Sequence, residues 1–106
     1  MNIPEWKAKG KYTKVYGHAV FNIHHQTNIP TIAFLHGYPS ASYDYYKVLP
    51  YLSTNFSYII HDHLGFGLSD KPTNYSYSLL EQAEIAIELW KQSGIKEIHL
   101  VSHDYG

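Results

Sequence analysis

Residues 100–106 have the sequence LVSHDYG, in which a short apolar run is followed directly by small and polar residues. Together with the residues from Ile95 onward, this run predicts a buried strand over residues 95–102 that ends in a turn. Two more strands of the same kind are predicted at residues 31–35, TIAFL, and at residues 56–60, FSYII. Nearly continuous apolar runs of this length are typical of parallel strands that are covered on both faces.

Helices are predicted between these strands. The sequence from Ser78 to Glu81, SLLE, matches a capping box, which marks the start of a helix, and Gly94 suits its end. A shorter helix is predicted between Ser40 and Leu52, where Pro50 would kink or end it. The apolar face of the longer helix is expected to consist of Leu80, Ala83, Ile87 and Trp90.

The N-terminal part predicts a different kind of pairing. Residues 11–26 alternate apolar and polar side chains around Gly17, which indicates an antiparallel hairpin at the margin of the sheet. After this hairpin, the order strand, helix, strand, helix, strand predicts the α/β class with a mostly parallel sheet. Ligands of such sheets bind beyond the carboxyl ends of the strands. The candidate site residues at these ends are His36-Gly37, Asp62 and Asp104.

Composition excludes several classes of function. The chain has 106 residues, 44% of them apolar, and we treat residues 1–106 as one domain unit. A formal net charge of -1 offers no basic surface for a nucleic acid or an anionic membrane. No cysteine is present, so disulfides and thiolate metal sites are excluded. We find no signal peptide and no membrane-spanning run, and expect a soluble cytoplasmic protein.

Histidine is the one unusual count, with eight in the chain. His61 and His63 would lie on one side of a strand, and His24 and His25 are adjacent. Metal sites usually need a third convergent ligand, which this spacing does not supply. We therefore expect neither a metal nor a cofactor.

The turn after residue 102 has the pattern of a nucleophile-bearing elbow, which needs small residues two before and two after the nucleophile. For Ser102 these flanking positions are Leu100 and Asp104, which are not small. For Asp104 they are Ser102 and Gly106, which are. The pattern favours a carboxylate nucleophile, which would form an alkyl ester with an electrophilic carbon. Hydrolysis of that ester creates an oxyanion, and the backbone N–H of Tyr105 is placed to stabilise it.

A second oxyanion donor is expected from the strand at residues 31–35. The sequence His36-Gly37-Tyr38-Pro39 follows it directly, and glycine allows the backbone to approach a site closely. The N–H of Tyr38 would then point at the same oxyanion. Either motif alone is weak, but the two at neighbouring strand ends support each other.

Three stretches in order carry a family resemblance: FLHGYPSASYDYY, HDHLGFGLSDKP and LVSHDYG, at residues 34–46, 61–72 and 100–106. From residue 12 onward the chain resembles the N-terminal half of α/β-hydrolases of the epoxide hydrolase and haloalkane dehalogenase group. This resemblance implies that Asp104 is the nucleophile and that Tyr38 and Tyr105 supply the oxyanion-hole amides. It also implies a cis peptide before Pro39.

Two departures from that group bear on the substrate. Dehalogenases that resemble this chain hold the halide with an indole N–H after the nucleophile, often with an Asn in the HGxP motif. Tyr105 and Tyr38 stand at these positions, which disfavours a dehalogenase, and the HGYP form is closer to epoxide hydrolases. The expected partner is a small, apolar molecule. Epoxide hydrolases also use tyrosines of a cap domain, and no cap segment is present in these residues.

The same resemblance assigns site-shaping residues. Asp62 and the loop at residues 65–72, GFGLSDKP, are expected to brace the site. A dinucleotide-binding motif is rejected because Asp70 stands where a glycine is required. The remaining site-shaping residues are expected to be His36, Gly37, Pro39 and His103, with neither histidine acting as the catalytic base.

The order of catalytic residues in this fold is nucleophile, acid, histidine. We therefore expect the acid, the histidine, the cap and the remaining strands after residue 106. The chain is then an incomplete core domain, truncated at the turn, with an exposed last strand and no activity alone. Three alternatives stay open: a non-catalytic binding scaffold, a haloalkane dehalogenase, and a serine esterase that uses Ser102.

Overall fold

The computed structural model describes residues 2–27, 30–52 and 55–106. Its helices and strands, in chain order, are α1 (Ile3–Ala8), β1 (Lys11–Val15), β2 (His18–His25), β3 (Thr31–Leu35), a 3₁₀ turn (Ser42–Tyr45), α2 (Leu49–Leu52), β4 (Ser57–His61), α3 (Leu79–Gln92) and β5 (His99–Ser102).

The described strands form one sheet in the order β1-β2-β4-β3-β5. β1 and β2 form the antiparallel hairpin, and β2 also pairs antiparallel with β4. β4, β3 and β5 run parallel, with Leu35 aligned with both His61 and Ser102. The predicted α/β class with an antiparallel N-terminal hairpin is confirmed. The register brings the residues that follow β3, β4 and β5 to the same edge of the sheet.

Both faces of the sheet are covered by apolar side chains. α3 packs on one face, where the buried core residues are Val15, Val20, Ala33, Ile59, Leu64, Ile85 and Leu89. α1 and the segment around α2 cover the other, where they are Trp6, Phe21, Ile23, Phe34, Leu49 and Ile60. The predicted hydrophobic alternation of the hairpin therefore serves two cores, one on each side of the sheet.

The predicted start of α3 is confirmed, but its predicted buried face is wrong. The Ser78 hydroxyl accepts the N–H of Glu81 at 3.1 Å, as a helix cap should. Leu80 is 71% exposed and Ile87 48% exposed. The buried face consists of Gln82, Ile85, Ala86 and Leu89. A pattern of apolar residues alone missed this face because a glutamine occupies one of its positions.

Gln82 is buried because its amide satisfies backbone groups of the loop after β4. It donates to the carbonyl of Leu64 at 2.9 Å and accepts the N–H of Leu64 at 3.2 Å. Buried polar groups are tolerated when both their donor and acceptor atoms are paired. The glutamine therefore fixes α3 against the loop that leads to the candidate site.

Two other sequence predictions need correction, and one helix was not predicted. β5 is shorter than the predicted strand, and it is not buried as its apolar residues predict but exposed along its length, as expected for a last strand at the edge of the described sheet. The predicted helix at residues 40–52 is a 3₁₀ turn followed by one turn of helix, with Pro50 inside that last turn. α1 was not predicted; the Asn2 side chain caps it by accepting the N–H of Glu5.

Candidate active site

The chain reverses sharply immediately after β5. Asp104 has a φ angle of 56°, in the left-handed region, and the N–H of Gly106 donates to the carbonyl of His103 at 3.0 Å. A Cβ at Gly106 would lie 2.6 Å from the carbonyl oxygen of Leu35. Only glycine fits this position without a shift of the backbone, which is the steric demand that the sequence pattern indicated.

The turn at Asp104 meets the segment that follows β3. The N–H of Tyr38 donates to Oδ2 of Asp104 at 3.2 Å. A Cβ at Gly37 would lie 2.9 Å from Nδ1 of His103 and 3.0 Å from the Cβ of Asp104. The absence of a side chain at Gly37 thus allows this close approach. The peptide bond between Tyr38 and Pro39 is cis, as the resemblance implied.

His36 links the ends of β3 and β4 beneath these turns. Its Nδ1 is 2.9 Å from the carbonyl oxygen of Gly37, and its Nε2 accepts the N–H of His63 at 2.9 Å. Nε2 of His63 lies 3.2 Å from the carbonyl oxygen of His36, and the two ring centroids are 4.3 Å apart. The two strand ends are therefore joined by reciprocal imidazole–backbone hydrogen bonds.

Burial keeps these histidines neutral. It is the largest cause that lowers the pKa of His63, to about 4, and the neighbouring His36 adds to the effect. Burial also lowers the pKa of His36, against the opposing effects of the Gly37 carbonyl, Asp62 and Asp44. The pKa of His61 is lowered by burial and by the other two histidines. At neutral pH each ring carries one proton and has one nitrogen free to accept.

The carboxylate of Asp62 holds the loop that follows β4. Its Oδ1 accepts the N–H of Ser42 at 2.7 Å, and its Oδ2 accepts the N–H of Leu68 at 2.8 Å. Gly67 has a φ of 51°, and a Cβ there would collide with the Asp62 carboxylate. Backbone donors compensate the buried charge of Asp62, and the carboxylate holds the loop in place.

An aromatic cavity of about 360 Å³ lies beside the Asp104 turn. The ring of Tyr105 lines this cavity, and its hydroxyl donates to the carbonyl of Tyr77 at 3.2 Å. Tyr38, 65% exposed, also lines the cavity. The lining residues are Tyr38, Gly65, Phe66, Lys71, Tyr77 and Tyr105. This lining suits an apolar or aromatic ligand.

The structure brings the predicted site residues together. The group at this edge of the sheet comprises His36, Gly37, Tyr38, Asp62, His103, Asp104 and Tyr105, with Pro39 next to Tyr38 in the chain. Sequence reasoning included Phe66 only as part of the bracing loop at residues 65–72, and it assigned no role at the site to His63 or Tyr77. The only feature of the sequence that could have indicated these residues is their position in or near the loop after β4. Within the described residues, no three histidine, aspartate or glutamate side chains are grouped so as to hold a metal.

Comparison with known proteins identifies the family. A family profile described as "alpha/beta hydrolase fold" matches residues 30–106. The chain belongs to the α/β-hydrolase fold family. It is 39% identical to the mesoderm-specific transcript protein of Mus musculus over 95% of its own length and 32% of that protein. It is 37% identical to the putative hydrolase LipZ of Mycobacterium tuberculosis, covering 99% of this chain and 36% of LipZ.

A solved α/β-hydrolase of similar shape is the haloalkane dehalogenase DbeA-M1 loop variant from Bradyrhizobium elkanii. Its TM-score is 0.84 at 30% identity, covering 92% of this chain and 32% of that one. The chain thus spans about a third of the length of these similar proteins. Among the helices of the described residues, none has the length and apolar character needed to cross a membrane.

Proposed function

We propose that these residues form the nucleophile half of a cofactor-independent hydrolase that opens an epoxide through an ester of Asp104. The observation that carries the proposal is the 3.2 Å hydrogen bond from the Tyr38 N–H to the Asp104 carboxylate, which sits on a left-handed turn. Such a turn presents a side chain at the end of a strand, where ligands of parallel sheets bind.

In the first step, a carboxylate oxygen of Asp104 forms a bond to an epoxide ring carbon, and the C–O bond of the ring breaks. The ring oxygen leaves as an alkoxide and takes a proton from an acid. In the second step, water adds to the carboxyl carbon of Asp104, and the resulting oxyanion is stabilised by the amides of Tyr38 and Tyr105. The ester C–O bond then breaks, which releases a diol and restores the carboxylate.

The proton donor for the alkoxide and the base for the water are part of the proposal. We place both, with a cap over the aromatic cavity, in the two thirds of the relatives' length that this chain does not span. The 106 residues alone are then inactive. A protein of the relatives' length that carries them is expected to be active.

The structure supports Asp104 over Ser102 as the nucleophile. Ser102 is the last residue of β5 and is aligned with Leu35 in the sheet, whereas Asp104 stands in the reversal itself. A serine esterase would need its hydroxyl in the strained turn, close to the donors of the neighbouring loop. Only Asp104 has that position here.

A haloalkane dehalogenase is the second candidate, because a dehalogenase is among the similar structures. Halide release is favoured by an N–H or O–H donor that faces the nucleophile. The Tyr105 hydroxyl donates instead to the carbonyl of Tyr77, at 3.2 Å. This contact favours the epoxide over the halide, and the Tyr105 ring then serves as an apolar wall.

The test is a single turnover of styrene oxide in water enriched in heavy oxygen, by a protein of the relatives' length. Hydrolysis at the carboxyl carbon transfers the heavy atom first to Asp104, so the peptide that contains Asp104 gains mass. Asp104→Ala should abolish turnover, while Glu97→Ala, at an exposed carboxylate outside the site, should leave it unchanged. Label that appears only in the product, or full activity of Asp104→Ala, would exclude the ester mechanism.

The same experiment distinguishes the epoxide hydrolase from the two alternative functions. A bromoalkane that labels Asp104 when styrene oxide does not would favour the dehalogenase. Failure of both substrates to react, in a protein that folds and binds them, would favour a non-catalytic scaffold.

A further inference from the structure

The C=O and the N–H of the peptide between Gly37 and Tyr38 both form hydrogen bonds. Its carbonyl oxygen lies 2.9 Å from Nδ1 of His36 and accepts the N–H of Ser40 at 3.0 Å. Its N–H, which belongs to Tyr38, donates to Asp104 at 3.2 Å. Because a trans peptide is planar and its C=O and N–H point in opposite directions, anchoring the carbonyl sets the direction of the N–H.

The hydrogen bonds of His36 define which nitrogen carries its proton. Nε2 accepts the backbone N–H of His63 at 2.9 Å, so it is unprotonated. The single proton of the neutral ring is therefore on Nδ1, where it donates to the Gly37 carbonyl. His36 is fully buried.

We propose that His36 is a positioning residue for the oxyanion hole: its Nδ1–H holds the Gly37 carbonyl and thereby aims the Tyr38 N–H at Asp104. This inference rests on the proposed function, in which that N–H stabilises the oxyanion of ester hydrolysis. His36 touches neither substrate nor nucleophile. Its effect is transmitted through one peptide plane.

The proposal predicts which chemical step depends on His36. The oxyanion forms when water attacks the ester, and the formation of the ester requires no oxyanion donor. Loss of the Nδ1–H should therefore slow hydrolysis more than alkylation. The ester of Asp104 should accumulate and be visible in the intact mass of the protein.

Two substitutions separate the two hydrogen bonds of His36. In His36→Asn, the side-chain amide carries an N–H at the position of Nδ1, so the contact with the Gly37 carbonyl is kept. In His36→Gln, the amide oxygen reaches the position of Nε2, so the contact with the His63 N–H is kept instead. A merely structural role of His36 would not distinguish the step of the reaction that each variant affects.

The experiment is rapid-quench kinetics with styrene oxide in a protein of the relatives' length. His36→Gln should slow ester hydrolysis by on the order of 100-fold, as for loss of one oxyanion donor, with KM for the epoxide lowered as the ester accumulates. His36→Asn should stay within about 10-fold of the parent protein, because it keeps the donor. The control is His61→Leu, at a fully buried histidine whose ring nitrogens find no hydrogen-bond partner among the residues that the structure describes, and it should leave ester hydrolysis unchanged.

Equal ester hydrolysis in the two His36 variants, or ester accumulation in His61→Leu, would overturn the positioning role. If His36→Gln does not fold, His36→Asn decides alone, and a loss of more than about 100-fold in ester hydrolysis refutes the proposal. Activity that persists in Asp104→Ala would instead refute the proposed function itself, so the two failures are distinguishable.

Discussion

Lowering the pH from about 7 to about 5 should destabilise this protein through His63. The ring is buried, with 3% of its surface exposed, and its pKa is about 4 in the folded protein against an ordinary value of 6.5. The unfolded chain therefore binds a proton at a pH where the folded protein does not. Stability is fully present above pH 6.5 and is lost as the pH falls toward the folded pKa.

The magnitude follows from the two pKa values. Linkage gives a loss of about 2 kcal/mol between pH 7 and pH 5 from His63, and about 3 kcal/mol once the pH reaches the folded pKa. His36 and His61, whose pKa values are lowered chiefly by burial, contribute in the same direction. Asp62 and Asp44 oppose the shift at His36.

The assay is urea unfolding followed by tryptophan fluorescence at several pH values, which gives the free energy of unfolding at each. His63→Gln keeps a donor for the His36 carbonyl but removes the titrating group, so its stability should depend less steeply on pH than that of the parent. His99→Gln, at an exposed histidine, should retain the parent slope. A His63→Gln slope equal to that of the parent would refute the assignment of the pH dependence to this ring.

Four further changes test the packing of the site. Gly67→Ala should lower the free energy of unfolding by about 3 kcal/mol, because its Cβ would collide with Asp62 and its φ is 51°; an equally stable variant in chemical denaturation would contradict this. Asp62→Asn should cost about 2 kcal/mol, because an amide group replaces one of two acceptors of backbone N–H groups; a denaturant midpoint that does not move would argue against the brace. Asp104→Gly should abolish turnover and leave the melting temperature nearly unchanged, since glycine relieves about 1 kcal/mol of strain at a φ of 56° but removes the acceptor of the Tyr38 N–H, which is worth about as much; a shift of more than about 5 °C in either direction would contradict this balance. Gly37→Ala should reduce turnover by roughly 100-fold, because the added Cβ would push Tyr38 away from Asp104. An unchanged kcat would rule out the proposed contact between the Tyr38 N–H and Asp104.

Much of the fold could be predicted because its determinants are local. The alternating residues of the hairpin, the Ser78 cap of α3 and the apolar runs of β3 and β4 each act over a few residues. The turn at Asp104 was also predictable, since Gly106 and Ser102 satisfy its steric demand within five residues.

Prediction failed where a residue's role depends on distant partners. The buried face of α3 includes Gln82, whose amide pairs with Leu64 across 18 positions of sequence. A pattern of apolar residues does not reveal a polar residue in the core, so the predicted buried face of α3 differs from the observed one. The apolar residues of β5 by themselves predict a buried strand; its exposure follows from its place at the edge of the described sheet, which the order of catalytic residues in this fold had indicated.

The sequence by itself determined the class of fold, the carboxylate at the turn and the glycines that let two strand ends approach. Tertiary structure alone decided that His36 and His63, 27 residues apart, exchange hydrogen bonds, and that this pair anchors the peptide whose N–H meets Asp104. The physical reason is that side-chain type and steric size act within a turn, whereas the direction of a hydrogen bond is fixed only when parallel strands align in register.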